Sequence, residues 1–171
     1  LAGNVKATGI KTSTDAMIDY SSYAENAYLL FRNKNYVSKF AEKESTPRIY
    51  FYDNGILSLF LIDKQSALLE NAVAVYLKRK YGEDVYYFKS NQTGIDIDFY
   101  LPEEKCAIQV SYNIDAAENR ETKSLVSFAE KTEEKHRLII VTNEEERTIT
   151  KNGVTIEVIP AYKFILDTKM T

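Results

Sequence analysis

The chain has 171 residues, 44% of them hydrophobic, with a formal net charge of −3 and a pI near 5.4. That length can bury one ordinary core, or one medium domain with a small appendage. The acidic balance argues against a broad surface for a nucleic-acid backbone, which requires a clear excess of Lys and Arg. A single cysteine, Cys106, excludes an internal disulfide. No signal peptide and no apolar run of spanning length is present, so a cytoplasmic, non-membrane protein is the expectation. The chain opens on Leu1 rather than Met, which suggests a piece of something longer, and no Gly-x-x-x-x-Gly-Lys-Ser/Thr loop occurs, so no nucleotide site is expected within it.

Residues 12–27 predict a helix capped at Thr12 or Ser13, with Met17, Tyr20, Ala24 and Ala27 at helical spacing. Short aromatic-rich runs follow at 28–32, 36–40 and 48–52, separated by polar segments, which reads as a helix followed by a wing-like sheet. Asp53-Asn54-Gly55 punctuates the chain, and a second region opens with an amphipathic helix at 65–80. Strands are expected near 84–89, 95–101 and 107–112, a helix near 117–132, strands at 136–142 and near 155–159, and a helical turn after Pro160. Glu144, Glu145 and Glu146 read as a solvated turn.

The segment of greatest interest is Gly94-Ile-Asp-Ile-Asp-Phe99 followed by Ala107-Ile-Gln-Val-Ser-Tyr112. Ile95, Ile97, Phe99 and Leu101 alternate with Asp96, Asp98 and Tyr100, while Ile108 and Val110 alternate with Gln109 and Ser111. A turn at residues 102–105 sets Leu101 against Cys106, hence Asp98 against Gln109 and Asp96 against Ser111, each pair sharing one face. On the 65–80 helix, Glu70, Val73 and Leu77 lie along one side. Two readings of Glu70 stay open: a rim carboxylate bonded to a backbone or Lys donor, which composition favours, or a ligand that joins Asp98 and the Gln109 amide oxygen around Mg²⁺.

Glu70, Asp98 and Gln109-Val110-Ser111 on adjoining elements resemble the PD-(D/E)XK nuclease superfamily, whose core runs helix, three strands, helix, strand. Leu69-Glu-Asn-Ala-Val73, Tyr86-Tyr87 and Gly94 to Phe99 look like the nuclease-like C-terminal domain behind the P-loop of a large set of AAA-type ATPases of unassigned function. Tyr23-Ala-Glu-Asn-Ala-Tyr-Leu-Leu-Phe31 and Arg48-Ile-Tyr-Phe-Tyr-Asp-Asn-Gly55 resemble the winged-helix linker and junction that precede it. The resemblance implies an α/β chain with a partial winged-helix-like segment at 1–56 and a nuclease-like domain at 57–171.

By the same resemblance Glu70 matches the helix carboxylate, Asp98 the metal-binding aspartate, Gln109 the acid of the third motif, and Ser111 falls where the catalytic lysine belongs. A hydroxyl stabilises a phosphorane poorly compared with a lysine, and Gln109 removes a negative charge from the metal set. Lys89 is the one candidate to substitute for the lysine. A catalytically degenerate accessory domain is therefore expected, holding Mg²⁺ weakly through Glu70, Asp98 and Gln109, with the ATPase module of the same protein as partner. It would serve regulation or nucleic-acid sensing. DNA and a homo-oligomer stay open as further partners, as do two alternatives, an active Mg²⁺-dependent nuclease and a protein-docking module. Residues 1–53 carry seven basic against six acidic residues, and the 12–27 helix has no Lys or Arg, so packing fits it better than base recognition. His136 has no Cys or His neighbour and is given neither a zinc nor a catalytic role.

Overall fold

A computed structural model describes residues 14–37, 47–61 and 65–166. Among them the chain is a mixed α/β structure with one eight-stranded sheet and five helices. In chain order these are α1 (Thr14–Asn26), β1 (Leu30–Asn35), β2 (Arg48–Phe51), α2 (Asn54–Ser58), α3 (Gln65–Tyr81), β3 (Tyr86–Ser90), β4 (Ile95–Leu101), β5 (Cys106–Val110), α4 (Ile114–Lys131), β6 (Arg137–Thr142), β7 (Arg147–Lys151), β8 (Val154–Pro160) and α5 (Ala161–Leu166). The sheet order is β2-β1-β3-β4-β5-β6-β8-β7. The expected helix, three strands, helix, strand succession is α3, β3 to β5, α4 and β6. The proposed cap at Thr12 or Ser13 and the part of the 36–40 run beyond Val37 lie outside the described residues.

Hydrophobic burial sorts the helices onto two faces. Val73, Ala74 and Leu77 of α3 and Phe164 of α5 pack with Phe99, Leu101, Ile108, Ile139 and Val141 on one side. Ile114, Leu125, Val126 and Phe128 of α4 pack with Ile95, Ile97, Tyr100, Ile140 and Ile156 on the other. β6 pairs in parallel with both β5 and β8, and Leu138 to Val141 are all buried, which is why this strand reads as an unbroken apolar run.

The turn at residues 102–105 forms as expected, with Leu101 against Cys106, the Lys105 N–H on the Pro102 carbonyl at 3.1 Å and Lys105 at φ 46°. The strict alternation expected along β4 does not hold. Between the pairs Tyr86↔Tyr100 and Phe88↔Ile97, two steps along β3 span three along β4, so the ladder carries a bulge at Asp98 and Phe99. The bulge reverses the parity: Ile95 and Ile97 face α4, whereas Phe99 and Leu101 face α3.

The segment ahead of residue 57 adds two strands to the sheet edge and shares the α3 core through Phe31 and Tyr50. Its docking is polar as well as apolar. Asn71 of α3, 2% exposed, accepts from the Phe51 N–H and donates to the Phe51 carbonyl, both at 2.8 Å, and also donates to Asn54 Oδ1 at 2.7 Å. The helix side chain thus takes the place of a neighbouring strand. Across the β1–β3 seam, Asn35 does the same, donating to the Lys89 carbonyl and accepting from its N–H. Two elements escaped the sequence reading: α2, capped by the Asp53 carboxylate, and β7, the outer strand paired with β8.

Candidate functional site

The β4 bulge, the start of β2 and the first turns of α3 bring Asp96, Asp98 and Glu70 around one group that the sequence reading did not single out, the Arg48 guanidinium. Arg48 Nη2 lies 2.6 Å from Asp96 Oδ1, Nη1 lies 2.8 Å from Asp98 Oδ1, and Glu70 Oε1 is 3.9 Å away. The Tyr87 ring lies beneath the guanidinium at 4.9 Å. Tyr50, on the same side of β2 as Arg48, donates its hydroxyl to Glu70 Oε1 at 2.8 Å. Asp98 also accepts from the Val110 N–H at 2.9 Å.

Gln109 takes a different part from the one expected. The β4–β5 ladder stops at Phe99↔Ile108. Beyond it the Gln109 side chain, 1% exposed, fills the seam, accepting from the Asp98 N–H at 3.0 Å and donating to the Asp96 carbonyl at 2.7 Å. Both ends of the amide are thus engaged by the backbone of β4. Ser111 donates to the Asn113 carbonyl at 2.9 Å, while its own N–H bonds to Val141, so the expected Asp96–Ser111 pair does not form. Lys89, paired with Asp96 in register, reaches Asp96 Oδ2 at 2.9 Å and stands at the rim, half exposed. Glu70, Asp98, Val110, Ser111, Arg120 and Glu121 line a cavity of about 510 Å³. Of the five residues marked in the sequence, Glu70, Asp98 and Ser111 therefore share a cavity. Gln109 sits behind its wall and Lys89 joins through Asp96.

As arranged, these residues do not fit a divalent cation. Asp98 is taken by Arg48 and the Val110 N–H, Glu70 Oε1 accepts from Tyr50, and the Gln109 oxygen is bonded to a backbone N–H. Among the described residues no group of three or more His, Cys, Asp or Glu is disposed to hold a metal ion.

The electrostatics are those of a site with surplus carboxylate. Burial raises the pKa of Glu70, reinforced by the Asp98 charge, and burial likewise raises those of Asp98 and Glu121. Burial is the largest single effect on Arg48 and works against its charged form, but Asp98, Tyr50 and Asp96 together outweigh it and drive its pKa upward. A carboxyl whose pKa is raised in the fold favours the protonated form, so the stability it brings is present at acid pH and lost as pH rises through the folded value. Glu70→Gln, which mimics the protonated carboxyl and still accepts from Tyr50, should therefore melt above the parent at pH 7–8. The gap should close below about pH 4, where a free Glu protonates too. Thermal melts between pH 3 and 8 test this; a less stable variant at pH 8 would show that Glu70 is held as a useful anion.

Elsewhere, His136 and Cys106 are engaged within the fold. His136 Nδ1 lies 2.9 Å from the Glu134 carbonyl and Nε2 lies 3.2 Å from the Tyr100 hydroxyl, while burial pushes the Cys106 thiol up to about 12. Arg32, one of the basic residues of the expected wing, is paired with Glu25 of α1.

Residues 65–164 match the family described as Domain of unknown function (DUF4143). The chain belongs to this family. Comparison with curated proteins and with solved structures returned no match. The matched stretch runs from the start of α3 into α5 and holds Glu70, Asp96, Asp98 and Gln109, whereas Arg48 and Tyr50 come from the strand ahead of it. Arg48 could have been noticed as a charged residue opening an aromatic strand, in register with Tyr50 and Tyr52. No helix among the described residues is long and apolar enough to cross a membrane.

Proposed function

We propose that this chain is the nuclease-like C-terminal part of a cytoplasmic AAA-type P-loop ATPase, and that it regulates the ATPase module without cleaving nucleic acid. The element succession α3, β3 to β5, α4, β6 supports the PD-(D/E)XK reading of the fold, and the family match supports its extent. The observation that carries the loss of catalysis is Arg48, whose guanidinium engages the carboxylates a Mg²⁺ ion would need. Gln109 engaged with backbone and a serine at the lysine position point the same way, and the acidic cavity repels a phosphate backbone.

Incubation with single- or double-stranded DNA and Mg²⁺ or Mn²⁺ is expected to give no cleavage, and calorimetry with Mn²⁺ no affinity tighter than the order of millimolar. Nicking that disappears in Asp98→Asn would restore the active-nuclease reading. The gene should also encode a Gly-x-x-x-x-Gly-Lys-Ser/Thr loop.

A protein-docking role has its own support. Tyr23, Tyr28, Leu59 and Phe60 are each at least 66% exposed, and all precede the matched family region. Such a surface suits a protein partner, first of all the ATPase module, better than it suits DNA.

A further inference from the structure

We propose that Asp96, Asp98, Glu70 and Tyr87 form a guanidinium socket, and that Arg48 is its resident, releasable ligand, latching the β1–β2 hairpin to the family domain. This deepens the reading above by naming what the altered nuclease site binds. The socket has the parts that guanidinium recognition calls for. Two carboxylates meet two different nitrogens at 2.6 and 2.8 Å, an aromatic ring lies against the planar face, and a third carboxylate, fixed by Tyr50, stands 3.9 Å off. Arg48 Nη1 and Nη2 serve Asp98 and Asp96 separately, a division that a lysine ammonium cannot reproduce with the same planarity.

The argument that the latch is releasable comes from its neighbour. Asn33 pairs directly with Arg48 across the β1–β2 ladder, so both side chains leave the same face. Asn33 is 4% exposed, yet neither its amide nitrogen nor its oxygen has a hydrogen-bond partner among the described residues. A buried amide with both ends unmet favours any state in which the hairpin loosens and water reaches it. Arg48 thus adds a fork of two ion pairs to the holds made by Asn71 on Phe51 and Asn35 on Lys89, beside one group that works for release. The hairpin's lateral pairing with β3 runs through Lys34↔Tyr86 and Asn35↔Tyr87 and is extended by the Tyr36 N–H on the Tyr87 carbonyl and by Asn35 on Lys89.

Native-state hydrogen exchange on the whole chain tests the latch. In Arg48→Ala, amides of Leu30–Asn35 and Arg48–Phe51 should exchange roughly tenfold faster or more, with β5 and β6 unchanged. Millimolar methylguanidinium should restore protection, methylammonium at equal ionic strength should not, and adding Asp98→Asn should abolish the rescue. Arg48→Lys, which keeps the charge, should fold and show the same local loosening in weaker form. Uniform exchange across the sheet in both variants, no change in either, or equal rescue by methylammonium would each overturn the proposal. Cleavage assays bear on the nuclease reading alone, so the two can fail separately.

Discussion

Asn71→Leu is expected to destabilise the protein by about 3 kcal/mol, although it replaces a polar group in a largely apolar helix face by one of nearly equal size. The reason lies on the other side of the contact. Asn71 is the partner of both the N–H and the carbonyl of Phe51, and of Asn54 Oδ1, so its loss leaves two polar groups of the β2 edge and one at the start of α2 to find water or go unmet. An unsatisfied buried donor or acceptor costs about 1–3 kcal/mol, and β2 is the outermost strand, so part of this is recovered by hydration. At about 2–4 °C per kcal/mol for a chain of this size, the midpoint should fall by roughly 6–12 °C. Denaturant melts give the free energy directly. A loss below about 0.5 kcal/mol would mean that Phe51 keeps its partners in another way, and that Asn71 does not hold β2 to α3.

The contrast between Asn71 and the apolar residues of α3 shows what the sequence could and could not disclose. Val73 and Leu77 announce a buried face by their spacing, and both are fully buried. Asn71 falls on the same helix with no periodic signature, because its purpose is set by a strand twenty residues earlier. The same limit governs β4. Alternation of Ile95, Ile97, Phe99 and Leu101 reads as one face, but a bulge adds a residue locally and exchanges the faces on either side of it. Register near the turn was legible because Pro102 to Lys105 fixes it; register from Asp98, four residues before Pro102, was not. β7 was legible and went unread: Asn152-Gly153 between Arg147–Lys151 and Val154–Pro160 is the dipeptide that a tight hairpin demands, and both residues adopt positive φ, 53° and 77°.

At the site, residue types were legible and partners were not. Glu70, Asp98 and Ser111 were expected together and do share a cavity. Nothing in their local pattern, however, indicates that an arginine from an edge strand would engage the carboxylates. Long-range ion pairs leave no periodic trace, and Arg48 stands 48 and 50 residues from the aspartates it meets.

Gln109→Glu, the change that would restore the acidic third motif, is expected to destabilise the fold by about 3–4 kcal/mol at pH 8 and to leave metal affinity no better. The resemblance alone suggests the opposite, a repaired metal site. In the structure the Gln109 amide nitrogen donates to the Asp96 carbonyl at 2.7 Å, and the residue is 1% exposed. An ionised carboxylate has no proton for that bond. It would set a negative oxygen against the carbonyl lone pairs, next to the Asp98 carboxylate, away from water and without a cation of its own. Leaving a buried charge unpaired is among the most damaging single changes, at about 3–5 kcal/mol, and the upper end is moderated here because the other oxygen still accepts from the Asp98 N–H. Protonation restores the missing donor, so the carboxyl introduced there should titrate above the usual range. Its penalty should shrink as pH falls toward 5 and grow as pH rises through the folded value. Melting the variant at pH 5 and pH 8 reads this slope, and calorimetry with Mn²⁺ reads the site. A variant as stable as the parent at pH 8, or one that binds Mn²⁺ tightly, would show that the seam can open and that Gln109 faces the cavity after all.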